Sequence, residues 1–392
     1  MANYILFDDH QVWENLLPLT YTRPVSEIRT GILTIAEKWN YYLNTSVSKL
    51  TEDYLSRKFP TKISGDDIYI NSSILPDNEL VEAIHNLKPG EVLLSKNEWL
   101  ASYGHPKTFF NQHNQSEKKI FSGNYQAIRH LWDIFLLNGK EINRDFGILT
   151  KGKSSVTLSS SNRIFGQHPV FAEEGASAEC AIFNTTFGPI YLGKHSLVME
   201  GSIIQGPFSL GESSQVKLAA KIYPGSTIGP QCRVGGELNN VVFLGFSNKA
   251  HDGFLGNAVI GEWCNIGADS NNSNLKNTYE NVKVWNYSHK SFMDSGLQFC
   301  GLFMGDHSKC GINTMFNTGT SVGVSANIFG AGFPRTFIPS FVWGGAAGFT
   351  TYKPEKAFQS MAAVMSRRNC ELSELDKSIL SHIFEITKEF RN

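Results

Sequence analysis

The sequence predicts an α/β domain over residues 1–150, a parallel β-helix over 163–340 and a C-terminal helical segment over 354–392. Three observations carry this. Every sixth residue from Leu192 to Val234 is a branched aliphatic: Leu192, Val198, Ile204, Leu210, Val216, Ile222, Ile228 and Val234. Strand-like and helix-like patterns alternate through the first third of the chain. A 3.6-residue period returns after Pro354.

Period six belongs to neither a lone helix nor a lone strand. Short strands joined by tight turns produce it when each strand sends one aliphatic into the axis of a solenoid. With 41% apolar residues, eight in one register arise by chance about once in a thousand. A β-sandwich with coincidental spacing is the alternative. Glycines after Leu192, Leu210, Ile228 and Val234 suit turns that need positive φ or close backbone approach. Phe254, Ile260 and Ile266 keep the spacing, as do Met304, Cys310, Phe316, Val322 and Ile328, so one irregular excursion is expected between them.

In chain order, Tyr4–Phe7 reads as a buried first strand with Asp8 and Asp9 at its carboxyl end, where ligands sit in open α/β sheets. The loop Pro18-Leu19-Thr20-Tyr21-Thr22-Arg23-Pro24 is held from helix by its prolines, and Arg23 and Arg29 carry forks suited to phosphate. Ser26 is expected to cap a helix burying Ile32, Ile35, Ala36 and Trp39. Residues 67–70, 92–94 and 146–149 read as strands, and 78–87 and 125–137 as helices. A serine-rich connector, 152–162, precedes a first tentative coil at Val170, Ala176 and Ile182. The tail, with Phe358, Met361, Met365, Leu372, Leu375, Ile379, Ile383 and Ile386, reads as a cap over the solenoid end or an oligomer contact.

A net charge of −1 gives no electrostatic case for nucleic acid or an acidic membrane surface. No apolar run is long enough to span a bilayer. Six cysteines without CxxC or zinc-finger spacing fit reduced thiols and a cytoplasmic setting.

The richest stretch for chemistry is 247–277, which reads as a break in the repeat. His251 stands at it, where a neutral imidazole serves as general base, although a histidine beside glycine-rich turns also fits a surface or packing position. Here the chain carries His251, Phe254-Leu255-Gly256, Ile260-Gly261, Asn265-Ile266-Gly267-Ala268 and then Asn274. This order resembles the acetyltransferase half of the bifunctional bacterial N-acetylglucosamine-1-phosphate uridyltransferase/glucosamine-1-phosphate acetyltransferase (GlmU) family. The resemblance implies a left-handed β-helix, a homotrimer, and direct acetyl transfer from acetyl-CoA to an amino-sugar 1-phosphate. It implies His251 as base, Glu237 orienting it, Asn265 and Asn274 on the sugar, with Phe254 in the motif, and the Ala268 backbone at the thioester. Tyr223 and Asn239 stand where the family has cations for the sugar phosphate, leaving Lys221, Lys249, Lys276 or Lys283 for that role.

The front half is similar to sugar-1-phosphate nucleotidyltransferases through Pro18-Leu19-Thr20, as in divergent GlmU-type proteins also labelled glucose-1-phosphate thymidylyltransferases. That likeness implies an NTP (UTP or dTTP) and a sugar 1-phosphate as substrates, with Thr20, Arg23, Arg29 and Lys38 on phosphate and Asp8 and Asp133 on Mg²⁺. Surface charge or helix capping accounts equally well for each charged residue among them. The glycine-rich loop expected before Pro18 is missing, Val25 replaces a lysine, and Asn71-Ser72 stands at the usual metal aspartate. Two other readings stay open: a nucleotidyltransferase whose solenoid only regulates or oligomerises, and a non-catalytic trimeric scaffold.

Overall fold

The computed structural model describes residues 3–96, 98–106 and 117–391. Its backbone forms two compact units: Met1–Leu16, Thr22–Ile28 and Leu33–His130 in the first, and Leu17–Tyr21, Arg29–Ile32 and Leu131–Asn392 in the second. The expected architecture is present: an N-terminal α/β domain, a parallel β-solenoid of about 10 turns and C-terminal helices. No helix among the described residues is long and apolar enough to cross a membrane.

In the first unit, β1 (Asn3–Phe7), β2 (Ser48–Leu50), β3 (Asp67–Asn71), β5 (Glu91–Ser95), β6 (Glu98–Tyr103) and β7 (Glu117–Ile120) form one sheet in the order β2-β1-β3-β6-β5-β7. Only β6 runs against the rest, so five strands end at one edge. A small antiparallel pair, β4 (Ile74–Leu75) and β8 (Gln126–Ala127), stands apart. Among the described residues, three helices accompany them: α1 (His10–Asn15), α2 (Ile35–Leu43) and α3 (Asn78–His85). The cap of α2 is Thr34, not Ser26. Thr34 Oγ1 accepts from Glu37 N at 3.2 Å and the Glu37 carboxylate accepts from Thr34 N at 2.7 Å, a reciprocal box that satisfies two terminal donors. Ser26 lies in a short 3-10 turn instead.

In the second unit, the solenoid has three faces. On the first, Leu192, Leu210 and Ile228 stack in register, with Phe243, Ile260, Met304 and Val322 continuing the row. On the second, Val198, Val216 and Val234 stack, and on the third Ile204 and Ile222. All eight ladder residues are 2% exposed or less, so the period-six reading holds. The first tentative coil is displaced: Val170, Ala176 and Ile182 are only half-buried, and the inward residues are Ala172, Ala178 and Phe183.

Stretch 247–277 does not leave the solenoid. Strands at Asn248–Lys249, Phe254–Glu262, Asn265–Ile266 and Asn271–Asn272 stay in the coil. Successive rungs Val198, Val216 and Val234 are 18 residues apart, but the next rung, Lys249, comes after 15. A shortened coil moves the hexad register without breaking the helix, and Leu255 rather than Phe254 becomes the inward residue. The true excursion lies later, where a hairpin of Lys283–Asn286 and Ser291–Asp294 projects before the coil resumes at Leu302.

Residues 125–149 differ most from expectation. Helix α4 (Asp133–Thr150) replaces both the helix expected at 125–137 and the strand expected at 146–149. It covers the outward side of the first face: Ile142 and Phe146 pack with Phe171 and Tyr191. That places it with the second compact unit. Its Asn138, fully buried, donates to Gly225 O at 2.7 Å and accepts from Gly31 N at 2.6 Å and Thr227 Oγ1 at 3.1 Å. Gly31, at φ +78°, leaves no room for a Cβ, which would sit 2.5 Å from Asp145 Oδ2.

The tail forms two helices, α5 (Pro354–Ser366) and α6 (Glu374–Ile386). Phe384 of α6 packs edge-on against Phe341 in the last coil, ring centres 5.3 Å apart, as a cap should. The end of α5 instead runs back along the solenoid flank, where Arg368 Nη2 donates to Asn248 Oδ1 at 3.2 Å.

Candidate functional site

A cleft of about 730 Å³ lies between the second solenoid face and the end of α5. Stacking of successive coils sets its floor. Arg233, Asn248, Asn265 and Lys309 occupy equivalent outward positions, one residue before each inward rung. At the corner beside them Phe246 and Trp263 stack with ring centres 4.3 Å apart and planes 17° apart, both in the left-handed backbone region. Val364, Arg367 and Arg368 close the cleft from the helix side.

His251, Asn265 and Ala268, expected at a site on sequence grounds, all line this cleft. His251 is exposed at the turn between the second and third faces, and its imidazole has no hydrogen-bond partner among the described residues. Phe254, Glu237 and Asn274 do not line the cleft; they belong to the third face, on the other side of that turn. Glu237 faces Lys221 at 3.8 Å and no hydrogen bond joins it to His251. Asn274 Nδ2 donates to Asn257 Oδ1 at 2.8 Å. Two lysines expected on substrate are engaged within the chain. Lys276 Nζ donates to Asn281 O at 2.8 Å. Lys249 points into the solenoid, 1% exposed, because it fills an inward rung.

Among the described residues, four cations line the cleft and no carboxylate does. Arg233 Nη1 and Arg368 Nε are buried without a partner among the described residues, and buried donors left unpaired favour an anionic acceptor. Burial holds the Lys309 ammonium below the usual lysine range, with Cys264 acting against that shift. Sequence reading missed Arg233, Lys309, Arg367, Arg368 and Trp263. The signal for the first two is their place just before an inward rung. Nothing in the sequence brings the two arginines that follow α5 to that row.

In the first unit, Asp8 follows β1, Thr51 follows β2 and Ser72 follows β3, on three adjacent parallel strands. Asp8 accepts from Ser72 Oγ at 2.5 Å, Thr51 Oγ1 at 2.7 Å and Val25 N at 3.2 Å. Its residue keeps some exposed surface, but the carboxyl itself is enclosed. Burial pushes its pKa up to about 7, against those three hydrogen bonds, and nearby Glu52 adds to the rise. Where a phosphate-cradling loop was sought, Asp9 caps α1, accepting from Val12 N at 3.1 Å.

The other expected phosphate contacts lie elsewhere. Thr20, Arg23 and Lys38 are buried and already engaged within the chain. Arg29 donates to the carbonyls of Ile32 and Leu244. Asp133 opens α4 in the second unit, and Asp8 belongs to the first. No cluster of three or more His, Cys, Asp or Glu side chains suited to a metal occurs among the described residues. Mg²⁺ binds through one or two carboxylates together with substrate phosphates; Asp8, enclosed and already accepting three hydrogen bonds, does not fit such a ligand.

The enclosed carboxyl has a consequence for stability. An Asp8 pKa raised from 3.8 to about 7 means that the folded chain holds a proton that the unfolded chain has released between about pH 4 and pH 7. Stability from this group therefore falls as pH rises through that window. Asp8→Asn is expected to gain stability relative to the unmodified chain at pH 8 and little at pH 4. Urea unfolding at both pH values checks it; a pH-independent difference would mean that the carboxyl is ionised in the fold.

Residues 4–154 match the family model for sugar nucleotidyl transferases. No curated protein matches the chain. Among solved structures, a UDP-N-acetylglucosamine acyltransferase from Campylobacter jejuni is similar at 12% identity over 58% of this chain and 96% of that one, with a TM-score of 0.29. The Arabidopsis UDP-N-acetylglucosamine acyltransferase is similar at 13% identity over 59% and 91%, with a TM-score of 0.22.

Proposed function

We propose that this chain is a transferase of nucleotide-sugar synthesis that acetylates an amino-sugar 1-phosphate on its solenoid and transfers a nucleotidyl group in its N-terminal domain. The observation that carries the first activity is His251, exposed at the turn between two differently equipped faces. The cationic, aromatic-walled cleft on one side suits acetyl-CoA, whose phosphates and adenine match its cations and rings. The polar face on the other side, with Glu237, Asn257 and Asn274, suits a sugar. His251 takes the proton as the sugar amine attacks the thioester carbonyl; the amide bond forms, the C–S bond breaks and the thiolate of CoA leaves.

The nucleotidyl reading rests on the family match over 4–154 and on Asp8, Thr51 and Ser72 at the strand ends where ligands bind in such sheets. UTP or dTTP supplies the nucleotidyl group, and the assembly is a cytoplasmic homotrimer.

Incubation with acetyl-CoA and glucosamine 1-phosphate should release free thiol, and incubation with UTP or dTTP and a sugar 1-phosphate should release pyrophosphate. Pyrophosphate without thiol would favour the second reading, a nucleotidyltransferase with a non-catalytic solenoid, for which the family match speaks. The absence of both products would end the proposal.

A further inference from the structure

We propose that Lys249 is a positioning residue: from inside the solenoid its ammonium ties down the turn that carries His251. This rests on the reading of His251 as the acetyl-transfer base.

The row of inward residues on the second face runs Val198, Val216, Val234, Lys249, Ile266, Cys310 and Ile328. Lys249 is its one charged member and is 1% exposed. A charge in an apolar core is costly unless polar groups replace the lost water. Here backbone carbonyls do so. Lys249 Nζ donates to His251 O at 2.8 Å, Gly235 O at 3.2 Å and Asp252 O at 3.3 Å. Two of these carbonyls belong to the His251 turn and the third to the coil before it.

The turn after Lys249 leads to the next inward residue, Leu255, and lies tight against the following coil: Gly253 adopts φ +114°, and a Cβ there would lie 2.2 Å from Ser270 O. The ammonium gathers the inward-facing carbonyls of that turn. A methionine would fill the rung equally well but hold none of them.

The charged and titratable groups around the ammonium are Asp252 in its own turn, Asp269 in the next coil and Cys310 in the coil after that. Burial draws the lysine pKa down to about 8, against the pull of these three groups. The tie therefore loosens as pH rises past about 8.

The test is Lys249→Met, read by thermal unfolding, by acetyl-transfer kinetics and by the NMR signals of the His251 ring, assigned with His251→Ala. Expected are a folded protein with unchanged or higher Tm, a shifted His251 signal, and kcat lowered about ten- to hundredfold with KM for the donor little changed. In the unmodified chain the His251 signal should show a second step near pH 8 that Lys249→Met lacks. If Lys249→Met does not fold, that second step alone decides, and its absence overturns the proposal. A purely structural lysine would leave the His251 signal and kcat unmoved, which also overturns it. A shifted signal with acetyl transfer that survives His251→Ala would leave the tie standing and remove the base.

Discussion

His251→Ala is expected to slow acetyl transfer about 10²–10⁴-fold, the usual contribution of a positioned general base. The fold should not notice. The ring is exposed, packs into no core row and has no hydrogen-bond partner among the described residues, so Tm should move by no more than an ordinary surface change. The substitution therefore isolates chemistry from stability. Because the amine must lose its proton as the C–N bond forms, the loss should fall on kcat, with donor KM nearly constant. Pyrophosphate release by the N-terminal domain is the internal control and should be untouched. Free-thiol release measured at saturating acetyl-CoA decides it. A rate within about threefold of the unmodified chain would take His251 out of the mechanism and leave the proton to another group.

Where the sequence was easy to read, geometry repeats. A coil of three short strands puts one residue per face into the axis, so six-residue spacing is the coil made visible, and Leu192 to Val234 shows it without exception. Where a local rule was followed instead, reading failed. Phe146-Gly147-Ile148-Leu149 is four residues of strand-like composition, yet it ends an 18-residue helix. That helix hides its period because Asn138, Glu141 and Asp145 are polar and buried, where a pattern reader expects apolar residues. Lys249 failed for the same reason. A lysine counts as surface unless its place in the row is known, and the row had just lost three residues.

The candidate site was half legible. His251, Asn265 and Ala268 sit close in sequence and their order carries a resemblance. Arg233, Lys309 and Arg368 are spread along 136 positions and meet only because coils stack and α5 folds back. Arg29 shows the opposite error: a guanidinium in a proline-rich loop looked available for phosphate, but carbonyls of its own chain hold it.

Those scattered cations yield the second large effect. Replacing Arg233 and Arg368 together by alanine is expected to raise KM for acetyl-CoA about a hundredfold, with kcat reduced far less. Each guanidinium brings a buried N–H that has no partner among the described residues, and a hydrogen bond from such a group to a phosphate is worth about 1.5–3 kcal/mol. At about 1.4 kcal/mol per factor of ten, two modest contacts reach a hundredfold. The effect should depend on the phosphates alone. Acetyl-pantetheine, which carries the same thioester without the nucleotide, should be a poor donor for the unmodified chain and no worse for the double variant. Raised salt should narrow the gap between the two proteins by screening the same contacts. Equal losses with both donors would mean that the arginines shape the cleft without binding anion, whereas unchanged KM for acetyl-CoA would place the donor's phosphates away from α5 altogether.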